Sequence, residues 1–160
     1  MDLFQEPIYA NIYDLSQINN FLRPFGFGTY HIGIEIYGSE YSFNEQGIFS
    51  ISPKSNELYP LRETIYLGTT NLNYYQIYNI IANLKTQFND YNYDIYTHNC
   101  NDFCDKLLIQ LTKSKLPDHI SRLNNISSFF SNIFKNKVLE DNEFKFDDIE
   151  SGELVEIKIE

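Results

Sequence analysis

Cys100 and Cys104, four residues apart in HNCNDFC, are the strongest candidates for chemistry in this 160-residue sequence. A cysteine in the first turn of a helix sits where unpaired backbone N–H groups and the positive end of the macrodipole favour an anion. A helix start and a neighbouring imidazolium can together bring a thiol pKa down to roughly 3.5 to 7.5, which makes a nucleophile at neutral pH. Cys100 is placed for this, and the reading predicts a depressed thiol pKa there. Asn99 and Asn101 flank it and could cap the helix or donate to an oxyanion. The competing reading makes both cysteines small buried hydrophobes on the helix's inner face. For Cys104, one turn further in, that reading is the expected one.

Three histidines could serve as the base. In TYHIGIEIY (29–37), strand alternation puts Tyr30, Ile32, Ile34 and Ile36 on one face and Thr29, His31, Gly33 and Glu35 on the other. His31 therefore leaves the apolar side, and Gly33 beside it leaves open space, which makes His31 the best candidate. Glu35 is four strand residues away, roughly 13 Å, too far to orient it. His98 is two residues from Cys100, so its ring and the thiol tend to diverge, and it reads as a solvated loop residue. His119 reads as a surface residue. His31, His98, Cys100 and Cys104 have the atom types of a metal site, but there is no second ligand pair at finger spacing. No metal and no cofactor is expected, and there is no phosphate loop, GxSxG or paired-carboxylate motif.

The elements that must position these residues follow from periodicity. Ile8 to Leu15 alternates as an edge or half-buried strand, and the NN and RPFGFG stretches after it read as a loop. Thr29 to Tyr37 is a strand, Glu40–Phe43 and Ile48–Ile51 form a hairpin around NEQG, and Glu63 to Leu67 is a strand stopped by Gly68. Ile77, Ile80, Ile81, Leu84 and Phe88 fall on one helical stripe, which predicts a helix from Asn73 to Phe88. A second helix starts at Asn99 or Cys100, with Phe103, Leu107 and Leu111 inward, and ends near Ser114. Pro117 opens a third, and Asn124 or Asn125 caps a fourth. Short neighbouring strands followed by helices predict an antiparallel α+β fold.

Composition bounds the function. Hydrophobic residues make up 42% of the chain, with thirteen Tyr and thirteen Phe, enough core material for a domain that folds alone. A net charge of −10 disfavours nucleic acid and anionic membrane as partners. No apolar run reaches the roughly 20 residues of a membrane span, and MDLFQEPIYA does not read as a secretory signal. An intracellular protein, cytoplasmic or nuclear, is expected, with both cysteines as free thiols. From Asn136, three Lys face nine acids, which separates a domain over 1–135 from an acidic tail over 136–160. Within the tail, LVEIKI alternates as a strand would.

The stretches YHIGIEIYGSEYSF, GIFSISP, LGTT, THNCNDFCDKLL and LPDHISRL, in that order, resemble the PPPDE family, the deSUMOylating isopeptidases of the DeSI type. The resemblance covers about Ile8 to Phe130. It implies a circularly permuted papain-like fold, with His31 matching the family's catalytic histidine and Cys100 its nucleophile. It also implies a cysteine isopeptidase acting on SUMO or ubiquitin conjugates through a Cys/His dyad, and a homodimer. The alternatives are a protein S-acyl thioesterase using the same dyad and a non-catalytic binding module of the same fold. Three positions depart from the family pattern. Cys104 replaces a small hydroxyl residue, Asn44 a glycine, and Lys113 to Lys115 a glycine before the Pro helix.

Overall fold

In the computed structural model, the residues described are 5–15, 30–95 and 97–120. The segment over 16–29, the helix expected at 124 or 125 and the tail over 136–160 lie outside them. Five strands form one antiparallel sheet: β1 (Glu6–Asp14), β2 (Tyr30–Ile36), β3 (Ser39–Asn44), β4 (Gly47–Ile51) and β5 (Leu61–Thr70). The order across it is β4-β3-β2-β1-β5. Among the described residues two full helices follow, α1 (Tyr74–Leu84) and α2 (Cys100–Thr112), and residues 118–120 after Pro117 are helical, as expected. The predicted α+β class with an antiparallel sheet and helices is the observed one.

The alternation in β1 and β2 sets the layers. Ala10 faces Ile34 and Ile12 faces Ile32 across the ladder, so Ile8, Ala10 and Ile12 join Tyr30, Ile32, Ile34 and Ile36 on one apolar face. That face packs with Phe43 against Ile77, Ile81 and Leu84 of α1 and Phe103, Leu107, Leu108 and Leu111 of α2. Each fully buried Ile, Leu or Phe contributes about 1.5–3 kcal/mol relative to an exposed one, which ties both helices to the sheet.

β1 is not an edge strand. It is hydrogen-bonded on both sides, to β2 and β5, and the polar side chains of its second face, Asn11 and Tyr13, are fully buried too. A strand covered on both faces loses the polar half of its alternation, which is why it read as half-buried. β5 runs through Gly68 to Thr70. Gly68 takes φ +115° where the pairing slips between Ile8 and Tyr9, so this glycine makes a bulge instead of a stop. The β3–β4 hairpin turns at Glu45 and Gln46, with Gln46 N–H donating to Asn44 Oδ1 (2.8 Å).

α1 is capped by Asn73, with Gln76 completing a capping box. It ends at Leu84, short of the predicted Phe88. Turn hydrogen bonds from Gln87 and Phe88 back to Leu84 O still deliver Phe88 to the core. α2 ends where Lys113 adopts φ 66°, a left-handed conformation in which a side chain is strained.

Candidate active site

Asn99 fixes where α2 begins. Its Oδ1 accepts from the Asn101 N–H (2.9 Å), and its own N–H donates to Asp102 Oδ2 (2.9 Å), a reciprocal cap. Asn99 Nδ2 donates to Ile95 O (3.0 Å), so both ends of this amide hold the helix start. Cys100 becomes the first helical residue, where the backbone N–H has no partner inside the helix. Asn101, in the same turn, is buried. Of the two asparagines read as oxyanion or capping residues, Asn99 is therefore a cap.

The helix start meets the sheet at a seam. Pairing between β2 and β3 stops at Ile34 and Tyr41, leaving the backbone of Ile32 without a ladder partner on that side. Side chains replace it: Ser42 Oγ donates to Ile32 O at 2.6 Å and Cys104 Sγ at 3.4 Å. The Cys100 thiol is hydrogen-bonded by the Ile32 backbone itself. Both cysteines are free thiols, and the two of them grip one residue of β2, the one that follows His31. Cys104 has the structural role expected for it.

The predicted depression of the Cys100 pKa is overturned. Burial pushes this thiol, only 3% exposed, up to about 11, and the Asp102 carboxylate adds to the rise. Hydrogen bonds from the backbone of Ile32, Asn101 and Cys100 itself favour the thiolate, but desolvation outweighs them. Sequence spacing locates a helix start; it does not register how dry that start is.

His31 lies on the other face of the sheet from the apolar core, as predicted, and is 8% exposed. Its ring stacks on Phe49 of β4 (centroids 6.0 Å, interplanar 13°) and lies against Tyr13 of β1 (6.2 Å, 42°). Burial lowers the imidazole pKa to about 4, so the ring is neutral at physiological pH. Among the described residues no hydrogen bond joins it to the Cys100 thiol. The connection between them is the chain itself, since the thiol's backbone donor Ile32 adjoins His31.

The open space expected over Gly33 is filled by Glu40. A Cβ on Gly33 would lie 2.6 Å from Glu40 Cγ, so the glycine is required by the carboxylate that crosses it. Glu40 is 1% exposed, and its Oε2 accepts from Asn11 Nδ2 (2.7 Å), Tyr13 Oη (2.8 Å) and Lys54 N–H (2.9 Å). Asn11 Nδ2 also donates to Glu35 Oε2 (2.9 Å), and Thr64 Oγ1 donates to Asn11 Oδ1 (2.8 Å). Such a carboxylate is stable in a dry interior because charge-assisted bonds replace its hydration. Sequence reasoning missed Asn11, Tyr13, Glu40 and Phe49. The available signal was a Glu on a hairpin strand whose register partner, Glu35, shares a strand face with Gly33 two residues away.

His98 is not a solvated loop residue. It stacks on Phe88 (4.5 Å, 6°) and meets Phe43 edge-on (5.6 Å), and its Nε2 lies 2.9 Å from Gln87 O. Those contacts place it in the aromatic cluster. His119 is exposed, as read. Among the described residues no group of three His, Cys, Asp or Glu side chains is placed to hold a metal, and no helix is long and apolar enough to cross a membrane.

Residues 6–139 match the family model described as "PPPDE putative peptidase domain". The chain is 31% identical over 128 residues to a DeSI-like protein of Arabidopsis thaliana, covering 77% of this chain and 57% of the relative. It is 32% identical over 129 residues to a desumoylating isopeptidase 1 homolog of Caenorhabditis elegans, with 75% and 39% coverage. Desumoylating isopeptidase 1 of Rattus norvegicus is 27% identical over 124 residues, with 73% and 74% coverage. The chain thus spans only about half the length of the first two relatives.

Proposed function

We propose that this chain, which belongs to the PPPDE peptidase family, is a cysteine isopeptidase that releases a ubiquitin-like modifier, SUMO, from lysine side chains. Cys100 is its nucleophile and His31 its acid and base. The observation that carries this reading is the position of Cys100: first residue of a capped helix, its thiol held by the backbone of the residue next to His31.

With a thiol near 11 and an imidazole near 4, the pair is neutral before reaction. The proton therefore moves during attack: imidazole takes the thiol proton as sulfur bonds to the carbonyl carbon of the modifier's C-terminal glycine. Catalytic hydrogen bonds often tighten only in the substrate complex, and this mechanism requires the His31 ring to reach the Cys100 thiol past the Ile32 seam at that stage. The oxyanion is received by the Cys100 backbone N–H and the Asn101 amide, at the helix end where negative charge is favoured. The imidazolium then protonates the leaving lysine amine as the C–N bond breaks. Next it takes a proton from water, whose oxygen attacks the thioester, and Cys100 leaves with that proton restored.

The test is a panel of C-terminal electrophile probes built on SUMO and on ubiquitin, with a small acyl thioester as a third substrate. Labelling of Cys100 by the SUMO probe, lost in Cys100→Ala and slowed in His31→Ala, is expected. Labelling by ubiquitin alone would reassign the modifier. Hydrolysis of the thioester with no labelling by either modifier would replace the isopeptidase reading with a thioesterase.

A further inference from the structure

We propose that Phe49 is a positioning residue for His31, so that the imidazole is oriented by an aromatic clamp, Phe49 on one side and Tyr13 on the other, in place of a third acid or amide. This rests on the assignment of His31 as acid and base. A histidine that exchanges protons with a nucleophile needs its ring plane fixed, and a hydrogen bond from a carboxylate or amide to the second nitrogen usually does so. Among the described residues the His31 ring has no such partner. Glu35 is four residues on along β2 and is spent on Asn11 and Lys54, and the Glu40 carboxylate is spent on Asn11, Tyr13 and the Lys54 N–H.

The ring instead has two aromatic neighbours. Phe49 is nearly parallel to it, at 13° and 6.0 Å, a stacked arrangement. Tyr13 lies tilted across from it at 6.2 Å. Tyr13 is itself immobilised, fully buried with its hydroxyl on Glu40. Phe49 is on β4, two strands from His31, and its ladder partner Ser42 is the residue whose hydroxyl holds Ile32 O. The same pair of strands therefore sets both the clamp and the seam where the thiol docks. Among the described residues the titratable side chain in contact with the ring is Tyr13 on β1.

The test compares Phe49→Leu with Phe49→Tyr. Phe49 is half-buried, so both variants should fold. Two readouts are taken: His31 titration by nitrogen-15 NMR, which needs no substrate, and kcat and KM on a modifier-linked substrate. Phe49→Leu should lower kcat about 10- to 100-fold with KM nearly unchanged, as loss of orientation does. It should also raise the His31 midpoint from about 4 toward the ordinary 6.5 as water reaches the ring. Phe49→Tyr, which keeps the stacked face, should restore both. The proposal is overturned if Phe49→Leu leaves the His31 titration unmoved, whatever its activity, or if Phe49→Tyr is as impaired as Phe49→Leu. His31→Ala separates the two levels: full turnover in that variant removes the catalytic assignment, while the NMR titration still decides the clamp.

Discussion

Acidification from about pH 7.5 to about pH 4.5 should remove about 2.5 kcal/mol of folding stability through His31 alone. The imidazole is buried against Tyr13 and Phe49, and burial lowers its pKa from 6.5 to about 4. Between those values the unfolded chain binds a proton that the folded chain refuses, so the unfolded state gains as pH falls. Stability is thus fully present above the unfolded pKa and is lost on the way down to the folded one. Integrating the linkage gives a loss of about 1.4 kcal/mol by pH 5.5 and about 2.5 kcal/mol by pH 4.5. The assay is urea denaturation of the native sequence and of His31→Gln at these three pH values. Carboxylates titrate alike in both proteins and cancel in the difference. The native sequence should lose about 2.5 kcal/mol more than the variant across the range. Equal losses would show that the His31 ring is hydrated, and the arguments from its burial would fail with it.

The high thiol pKa predicts that Cys100 resists iodoacetamide near neutral pH and gains reactivity as pH rises toward about 11, while an electrophile carried on a modifier tail labels it readily; rapid labelling by iodoacetamide near pH 6 would contradict the burial argument. Gly33→Ala should cost about 1–3 kcal/mol in denaturant, because the added methyl meets a Glu40 side chain held by three hydrogen bonds. Asn99→Ala should cost about 1 kcal/mol and reduce kcat, since the cap sets where the Cys100 helix begins; a stability loss with unchanged kcat would mean the first turn holds its place without it. Lys113→Gly should raise stability by about 0.5–1 kcal/mol, measured by thermal melting, by relieving a left-handed side-chain residue at the end of α2.

What the sequence determined by itself was local. Alternation in TYHIGIEIY put His31 off the apolar face, and the 3.6-residue stripes of α1 and α2 faced the core as read. The NCN segment opened a helix at Cys100, and the His31 strand preceded the Cys100 helix. These depend on periodicity and on capping chemistry within a few residues, which a linear chain carries in full. Only the tertiary structure decided that β1 is interior, that Glu40 fills the space over Gly33 and that His98 stacks on Phe88. It also decided that the thiol pKa rises where the helix start alone would lower it. Each of these depends on what an unrelated segment brings into contact. Desolvation depends on how completely a group is covered from every side, and coverage of Cys100 by β2, or of His31 by β1 and β4, has no counterpart in the residues next to them in sequence.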